Sequence, residues 1–434
     1  MNTLFSALVI LAFVTAGYRQ WHWVAGPGKS PMELMTSAMV DSAAASVTLA
    51  LGLIGVMALF LGLMKVAEKG GVLLMLARLI RPLMVRLFPD VPPDHPAMGA
   101  MIMNISANIL GLGNAATPFG IRAMQELDRL NPCKGTATNA MALFLAINTT
   151  SITLLPTNVI ALRASVHSLD PAAILPTTLL ATLLSTVVAI TSVKLLQRFF
   201  PIPGQNVTNQ PHQSSTPPES TTTLEDAGPP YPIWVVLLAL LGFLSIIPLT
   251  IFFGRTFSPW IIPGLMTTLL LFGIIRKIKV YEAFIEGARE GFDVATRIIP
   301  YLVAILVAVS MFRASSAMDA LVTFIAPWTS PLGLPAEALP MALLRPLSGS
   351  GAYGLLASLM QDPHIGPDSY TGLLVSTIMG SSETTFYVLA VYFGAVGVST
   401  MRHTLAAALL AEFAAVSGSV AACLWLFPHG LSSG

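Results

Sequence analysis

The chain has 434 residues, 54% of them AVILMFWYC and only 10% charged, with a mean hydropathy of +0.75, against roughly 25% charged residues in an ordinary soluble domain. That excludes a soluble globular protein, and 22 Lys+Arg against 21 Asp+Glu leaves no charge excess with which to hold nucleic acid or a polybasic lipid surface. Cys133 and Cys423 lie far apart with no C-x-x-C spacing, so no disulfide framework, metal site, iron–sulfur cluster or other cofactor is expected.

In chain order, apolar runs near the roughly 20-residue requirement for a span fall at 3–18, 47–66, 138–162, 171–199, 232–253, 259–275, 297–312, 371–397 and 404–427. The first run is read as a helix rather than a signal peptide, because Met1 to Ser6 carries no Lys or Arg and no A-x-A site follows. Lys194 and Arg198 end one span, and Arg276, Lys277 and Lys279 end another; the positive-inside rule places both ends in the cytoplasm. Between them, 201–230 has the Pro/Ser/Thr/Gln composition of a disordered linker. The expected organisation is therefore a first half at 1–200, a cytoplasmic linker at 201–230 and a second half at 231–434. The setting expected is a membrane, with lipid as the surrounding partner.

The halves share an order of parts. Each opens with an amphipathic segment, Glu33 to Asp41 or Glu282 to Glu290, and continues into an apolar span. A Pro-punctuated stretch follows, then a small-residue polar segment, a span interrupted by polar residues and a last span. Residues 65–95 hold Lys65, Lys69, Arg78, Arg81 and Arg86, whereas 313–340 hold Arg313 alone. By the same rule these stretches lie on opposite sides of the membrane. The fold class expected is an all-α polytopic membrane protein of two inverted-topology repeats, an architecture that places a site at the midplane between the repeats.

Two segments are too polar and Gly-rich for lipid-facing helices and suit re-entrant hairpins. One runs from Asn104 through Asn108 and Asn114 to Thr117 and Pro118; the other is Arg345-Pro-Leu-Ser348-Gly-Ser350-Gly. Packing through small residues, with Asn as hydrogen-bond glue, is the plain alternative. Two spans are interrupted at matching places, by Asn148-Thr149-Thr150-Ser151 before Pro156 and by Ser381-Ser382-Glu383-Thr384-Thr385 before Tyr387. A carboxylate within a span costs about 2.5–3.5 kcal/mol on insertion scales, so Glu383 is expected to be protonated, paired or facing water. Arg345 is its most economical partner; a coupling-ion site, a proton relay and a static Arg345–Glu383 bridge all fit. These residues are the candidate solute or ion ligands.

Gly26-Pro-Gly-Lys29-Ser30 imitates the end of a P-loop, but Trp23 stands where the first Gly is required. Every His lies at a span end or in a loop, so Ser348 has no midspan base and no enzyme is expected. Asp94-His95 lacks further metal ligands nearby.

The runs Gly62-Leu-Met-Lys-Val-Ala-Glu-Lys-Gly70, Phe88-Pro-Asp-Val-Pro-Pro-Asp-His-Pro-Ala-Met-Gly99, Gly111-Leu-Gly-Asn-Ala-Ala-Thr-Pro118 and Asn148-Thr-Thr-Ser-Ile-Thr-Leu-Leu-Pro156 resemble bacterial spore maturation protein A. Phe312-Arg-Ala-Ser-Ser-Ala-Met-Asp-Ala320, Arg345-Pro-Leu-Ser-Gly-Ser-Gly351 and the run from Thr384 to Gly397 resemble spore maturation protein B. The resemblance implies a fused A–B form with the nucleoside-recognition, or Gate, domain and a concentrative-nucleoside-transporter-like fold. It leaves two functions open: transport of a small polar solute (nucleoside-like) or ion, and a non-transporting dimeric envelope scaffold with a spore-maturation-type role. Small residues in the spans and the amphipathic segments at 33–46 and 280–296 suit helix packing in lipid, and two-fold pairing is the commonest solution for identical chains. A homodimer is expected.

Overall fold

The computed structural model describes residues 2–24, 28–111, 113–150, 153–201 and 231–429. In chain order the helices are α1 (Asn2–Trp21), α2 (Pro31–Lys69), α3 (Val72–Leu87), α4 (Pro96–Ile109), α5 (Gly113–Arg129), α6 (Asn139–Thr150), α7 (Thr157–Ser165) and α8 (Leu175–Leu196). The second half contributes α9 (Ile233–Ile275), α10 (Val280–Ala314), α11 (Ala317–Thr329), α12 (Leu339–Leu344), α13 (Gly349–Gln361), α14 (Tyr370–Ser381), α15 (Thr385–Gly394) and α16 (Thr404–Leu426). By length and apolar composition α2, α8 and α16 are long enough to span a bilayer, as is the bent pair at 302–332. The protein is a multi-pass, all-helical membrane protein. The linker expected at 201–230 lies, from residue 202 onward, outside the described residues.

Local chemistry sets the helix starts. Ser30 accepts from the Glu33 amide while the Ser30 amide donates to Glu33, and Pro31 occupies the first turn; this is a capping box. Ser348 and Ser369 cap α13 and α14 through the amides of Gly351 and Gly372, satisfying orphan N–H groups of the first turns.

Two antiparallel pairs form the frame. Helix α2 runs against α10 along most of its length, from the Ser310 hydroxyl on Ala38 O at one end to Lys65 beside Glu290 (3.1 Å) at the other. The contact is backbone against backbone. A Cβ added to Gly291 would meet Ala58 Cα at 2.7 Å and Met57 O at 2.8 Å, and one added to Gly287 would press on Leu61 O. Gly287-x-x-x-Gly291 thus fits Ala58-x-x-x-Gly62, the small-residue spacing that lets helices approach closely in lipid. At the polar end of the pair, Lys69 contacts Glu286 and holds its carboxyl below the usual carboxylate range. The second pair is α8 with α16, where Ser185 donates to Ala411 O at 2.7 Å and Gly418 faces Ala181.

The structure differs from the sequence reading over 232–275. Two spans, 232–253 and 259–275, were expected; the backbone is a single helix from Ile233 to Ile275. Its length of about 65 Å exceeds a hydrocarbon core of about 30 Å. The helix runs through Gly254 and through Pro248, Pro259 and Pro263, residues that cost a helix interior about 1 and about 3 kcal/mol each, and nothing in the structure explains why it is continuous there. The amphipathic segments at 33–46 and 280–296 are, as the sequence reading has them, continuous with the spans that follow, in α2 and α10.

Candidate functional site

The two interrupted spans are broken in the structure. Helix α6 stops at Thr150 and α7 starts at Thr157; α14 stops at Ser381 and α15 starts at Thr385. The breaks cross. The Glu383 amide donates to Thr149 O at 2.8 Å, so the free end of α6 is met by the unwound segment of the other half. Pro156 and Thr178 flank Gly380 at 3.1–3.3 Å from where a Cβ would stand, so a side chain at the crossing would press on both.

A hairpin docks on each break, and the two dockings match. Helices α4 and α5 form the first hairpin, turning through Gly111 at φ +77°, a left-handed backbone that glycine adopts without penalty. Its tip accepts from the first break, Leu154 N to Ile109 O at 2.9 Å. Helices α12 and α13 form the second hairpin, and Phe386 N donates to Pro346 O at 3.0 Å. Each hairpin also packs on the other half's broken span: Tyr392 of α15 stands over Gly120 and accepts from Asn104, while Tyr353 of α13 donates to Asn158 O in the first turn of α7. Helix ends, freed carbonyls and hydroxyls thus lie next to one another at the crossing, where backbone dipoles can face a ligand.

The candidate side chains divide into those at the crossing and those outside it. Asn108 donates to Asn148 Oδ1 at 2.9 Å, tying the first hairpin to α6. Asn148 and the Thr149 and Thr150 hydroxyls return to carbonyls of their own helix, with Thr150 also accepting from Thr186. Arg345, 3% exposed, donates to Thr384 Oγ1 at 3.1 Å and stands 3.9 Å from Glu383. Ser381 contacts Ser419 on α16. Ser348 is consumed as the α13 cap, and Ser350 follows it, half-buried, in the first turn. Asn104 lies inside the first hairpin, its amide nitrogen bonded to Ala116 O and Tyr392, as the hydrogen-bond-glue reading expects of it, while its Oδ1 is buried without a partner. Thr117 is half-buried within α5. Ser151 and the Asn114 side chain lie outside the described residues.

Glu383 is not the buried acid of the site. Its side chain is 49% exposed, and 3.9 Å is a loose approach to Arg345. The buried acid is Glu412 on α16, 6% exposed, which accepts from Ser382 Oγ at 2.9 Å and Thr385 Oγ1 at 3.4 Å. The sequence carried the signal, because Glu412 is the only acid in the run 404–427 and bears the same insertion cost as Glu383.

Two arginines brace the crossing at its two ends, again with the halves exchanged. Arg163, closing α7, reaches the loop before α14, donating to Pro367 O at 2.6 Å and Asp368 at 3.0 Å. Arg402, beyond α15, reaches the loop before α6, donating to Ala137 O at 2.9 Å and Asn139 Oδ1 at 3.0 Å, beside a short bridge between Thr136 and Thr400. Burial and the adjacent Arg402 push His403 down to about 4, so it is neutral at pH 7. Among the described residues no group of three His, Cys, Asp or Glu side chains is placed to hold a metal ion.

The family model described as Gate, nucleoside recognition, matches residues 50–166 and 295–399, just over half of the chain, including both hairpins and both broken spans. The chain belongs to the Gate family. It is similar to spore maturation protein B of Bacillus subtilis (strain 168), 45% identical over 166 residues that make up 38% of this chain and 92% of that protein. Spore maturation protein A of the same organism is 45% identical over 166 residues, 38% of this chain and 83% of that one. Inner membrane protein YjiG of Escherichia coli (strain K12) is 35% identical over 86 residues, 20% of this chain and 56% of that protein. Among solved structures, CNTnw in an inward-facing substrate-bound state is 13% identical, with a TM-score of 0.46, covering 100% of this chain and 98% of that one. A CNTnw variant in an outward-facing state gives 13%, a TM-score of 0.43 and coverage of 98% and 94%. The Gate match ends at residue 399, so Glu412 belongs to the site by geometry and not by the family match.

Proposed function

We propose that this chain transports a small polar solute, nucleoside-like, or an ion through a midplane site between two inverted repeats in a bacterial inner membrane. The observation that carries the reading is the crossing of the broken spans, Glu383 on Thr149, with a hairpin tip seated on each break. Unwound backbone at membrane depth is costly unless it lines a protected or water-filled site. The exchange of equivalent contacts between halves supports the inverted relationship: Leu154–Ile109 against Phe386–Pro346, and Arg163 against Arg402. Membership of a family described by nucleoside recognition favours a solute with hydroxyl and amide groups, which the Asn, Ser, Thr and Glu side chains at the crossing can address. In this reading Glu383, exposed to the crossing, contacts the solute or ion, and Arg345 orients it.

The test is flux into proteoliposomes, with radiolabelled ribonucleosides as probes under imposed sodium and proton gradients. Glu383→Gln should leave the detergent-solubilised protein monodisperse and lower flux at least about 100-fold, as expected for an interaction of about 3 kcal/mol with substrate. Full flux in a folded Glu383→Gln variant removes that residue from the mechanism. The second reading, a dimeric envelope scaffold, is favoured by the 45% identity to spore maturation proteins. A light-scattering mass of two chains together with no flux of any probe by the wild type would favour it.

A further inference from the structure

Glu412 is the buried charge that the contacts around it do not neutralise. Its carboxylate receives two neutral hydroxyls, Ser382 and Thr385, and among the described residues no Lys, Arg or His is paired with it. Helix α6 brings no titratable side chain to it. Helix α8 brings only Lys194, near its far end. Helix α14 brings Tyr370, at its opposite end, and α15 brings Tyr387 and Tyr392, the latter held by Asn104. On α16 itself Cys423 is eleven residues away, about 16 Å along the helix. The charged groups facing Glu412 across the break are Arg345 and Glu383, and these lie closer to each other and to Thr384. Two neutral hydroxyl donors are a weak substitute for water around an ionised carboxylate buried in a span, whereas a protonated carboxyl is satisfied by them.

Ser382 comes from the unwound segment between α14 and α15 and Thr385 from the first residue of α15, and neither comes from α16 itself. Whatever moves that segment off α16 uncovers Glu412 and admits water.

We propose that Glu412 is a membrane-embedded proton-binding site whose proton is held while residues 382–385 are docked on α16 and released when they leave. The proposal rests on reading the crossed breaks as a transport site, and it adds the coupling group to that site. The proton moves to and from water; no bond other than the carboxyl O–H is made or broken. Ser382 and Thr385 turn from donors to an ionised carboxylate into partners of the acid, and Arg345 remains the nearest fixed positive charge for the ionised state.

The experiment is a pH titration of the full chain in proteoliposomes, followed by the infrared C=O band of protonated carboxylic acids, with no solute present. A band that disappears between about pH 5 and about pH 10 is expected, absent in Glu412→Gln and retained in Glu383→Gln. Ser382→Ala should move its midpoint upward by about one unit, because a donor to the ionised form is lost. Carbodiimide labelling of the wild type gives a second reading that needs no variant. The peptide carrying Glu412 should be modified, with a yield that falls over the same pH range. The proposal is overturned if no band or adduct maps to Glu412, or if either stays constant with pH, the sign of a permanently protonated structural acid. Should Glu412→Gln fail to fold, the wild-type labelling decides by the same two outcomes. A titrating Glu412 in a protein that moves no solute leaves the proton site standing and overturns the transport reading instead.

Discussion

Gly291→Leu is expected to abolish recovery of monodisperse protein, or to lower its stability by more than about 3 kcal/mol. The reason lies in the atoms that face the glycine. An added Cβ meets the Ala58 backbone, Cα at 2.7 Å and N at 2.8 Å, so no side-chain rotation can relieve the clash. Overpacking a core costs about 1–3 kcal/mol where side chains can shift; here two helices of 39 and 35 residues would have to separate along a shared seam. Gly287 and Gly62 lie on the same seam, so separation at Gly291 loosens those contacts too. Gly55→Ala is the control: it sits on α2 with nothing within 4 Å of an added Cβ, and is expected to be neutral or to stabilise by up to about 1 kcal/mol through helix propensity. Thermal aggregation of the detergent-solubilised variants, compared with wild type, reads both effects. Equal stability of Gly291→Leu and Gly55→Ala would show that the close approach does not hold the pair together.

How much of this was legible in the sequence depended on whether the signal was local. The hairpins and broken spans were readable because Gly and polar residues within a few positions of each other cannot form lipid-facing helices, and the structure breaks α6–α7 and α14–α15 at those residues. The order of parts was readable for the same reason. Pairings across the chain were not: that Glu383 meets Thr149, or that Tyr392 closes over Gly120, depends on how two halves interlock, and no residue type at either position encodes its partner. Glu412 was overlooked because its run remains apolar around it and stays helical, so the span carried no sign of interruption. Asn104 shows how one residue type carries two readings. An Asn in a polar stretch suggests a ligand, but its amide is taken up by Ala116 O across its own hairpin. The long helix α9 could not be read from composition, since a five-residue polar dip fits either a loop or a helix that crosses it.

Arg163→Met is expected to cost about 3–5 kcal/mol, the range for removing one partner of a buried ion pair, which is enough to shift a marginal membrane fold substantially. Arg163 is 0% exposed. Its two terminal nitrogens donate to five acceptors: Pro367 O, Ser376 Oγ, Ser168 Oγ, Asp170 O and Asp368 Oδ1, at 2.6–3.3 Å. Methionine fills much of the volume but donates to none of them, so two loop carbonyls and a largely buried carboxylate lose their donor. Asp368 is also held by Ser168 at 2.6 Å and by the Leu169 amide at 2.8 Å, so those contacts would be drawn toward an uncompensated charge. Arg163→Lys should rescue little, because an ammonium has three donors and no planar fork to span both loops. Adding Asp368→Asn to Arg163→Met removes the stranded charge and should recover about 1–2 kcal/mol. Arg402 gives the internal comparison: its acceptors at Ala137 and Asn139 are uncharged and it is only half-buried, so Arg402→Met should cost about 1–3 kcal/mol. The order Arg163→Met worse than Arg402→Met, with partial recovery in the Asp368 double variant, is what stability measurements on reconstituted protein should return. A loss below about 1 kcal/mol for Arg163→Met, typical of an exposed pair, would mean that the brace between the α7 end and the α14 loop is not under load.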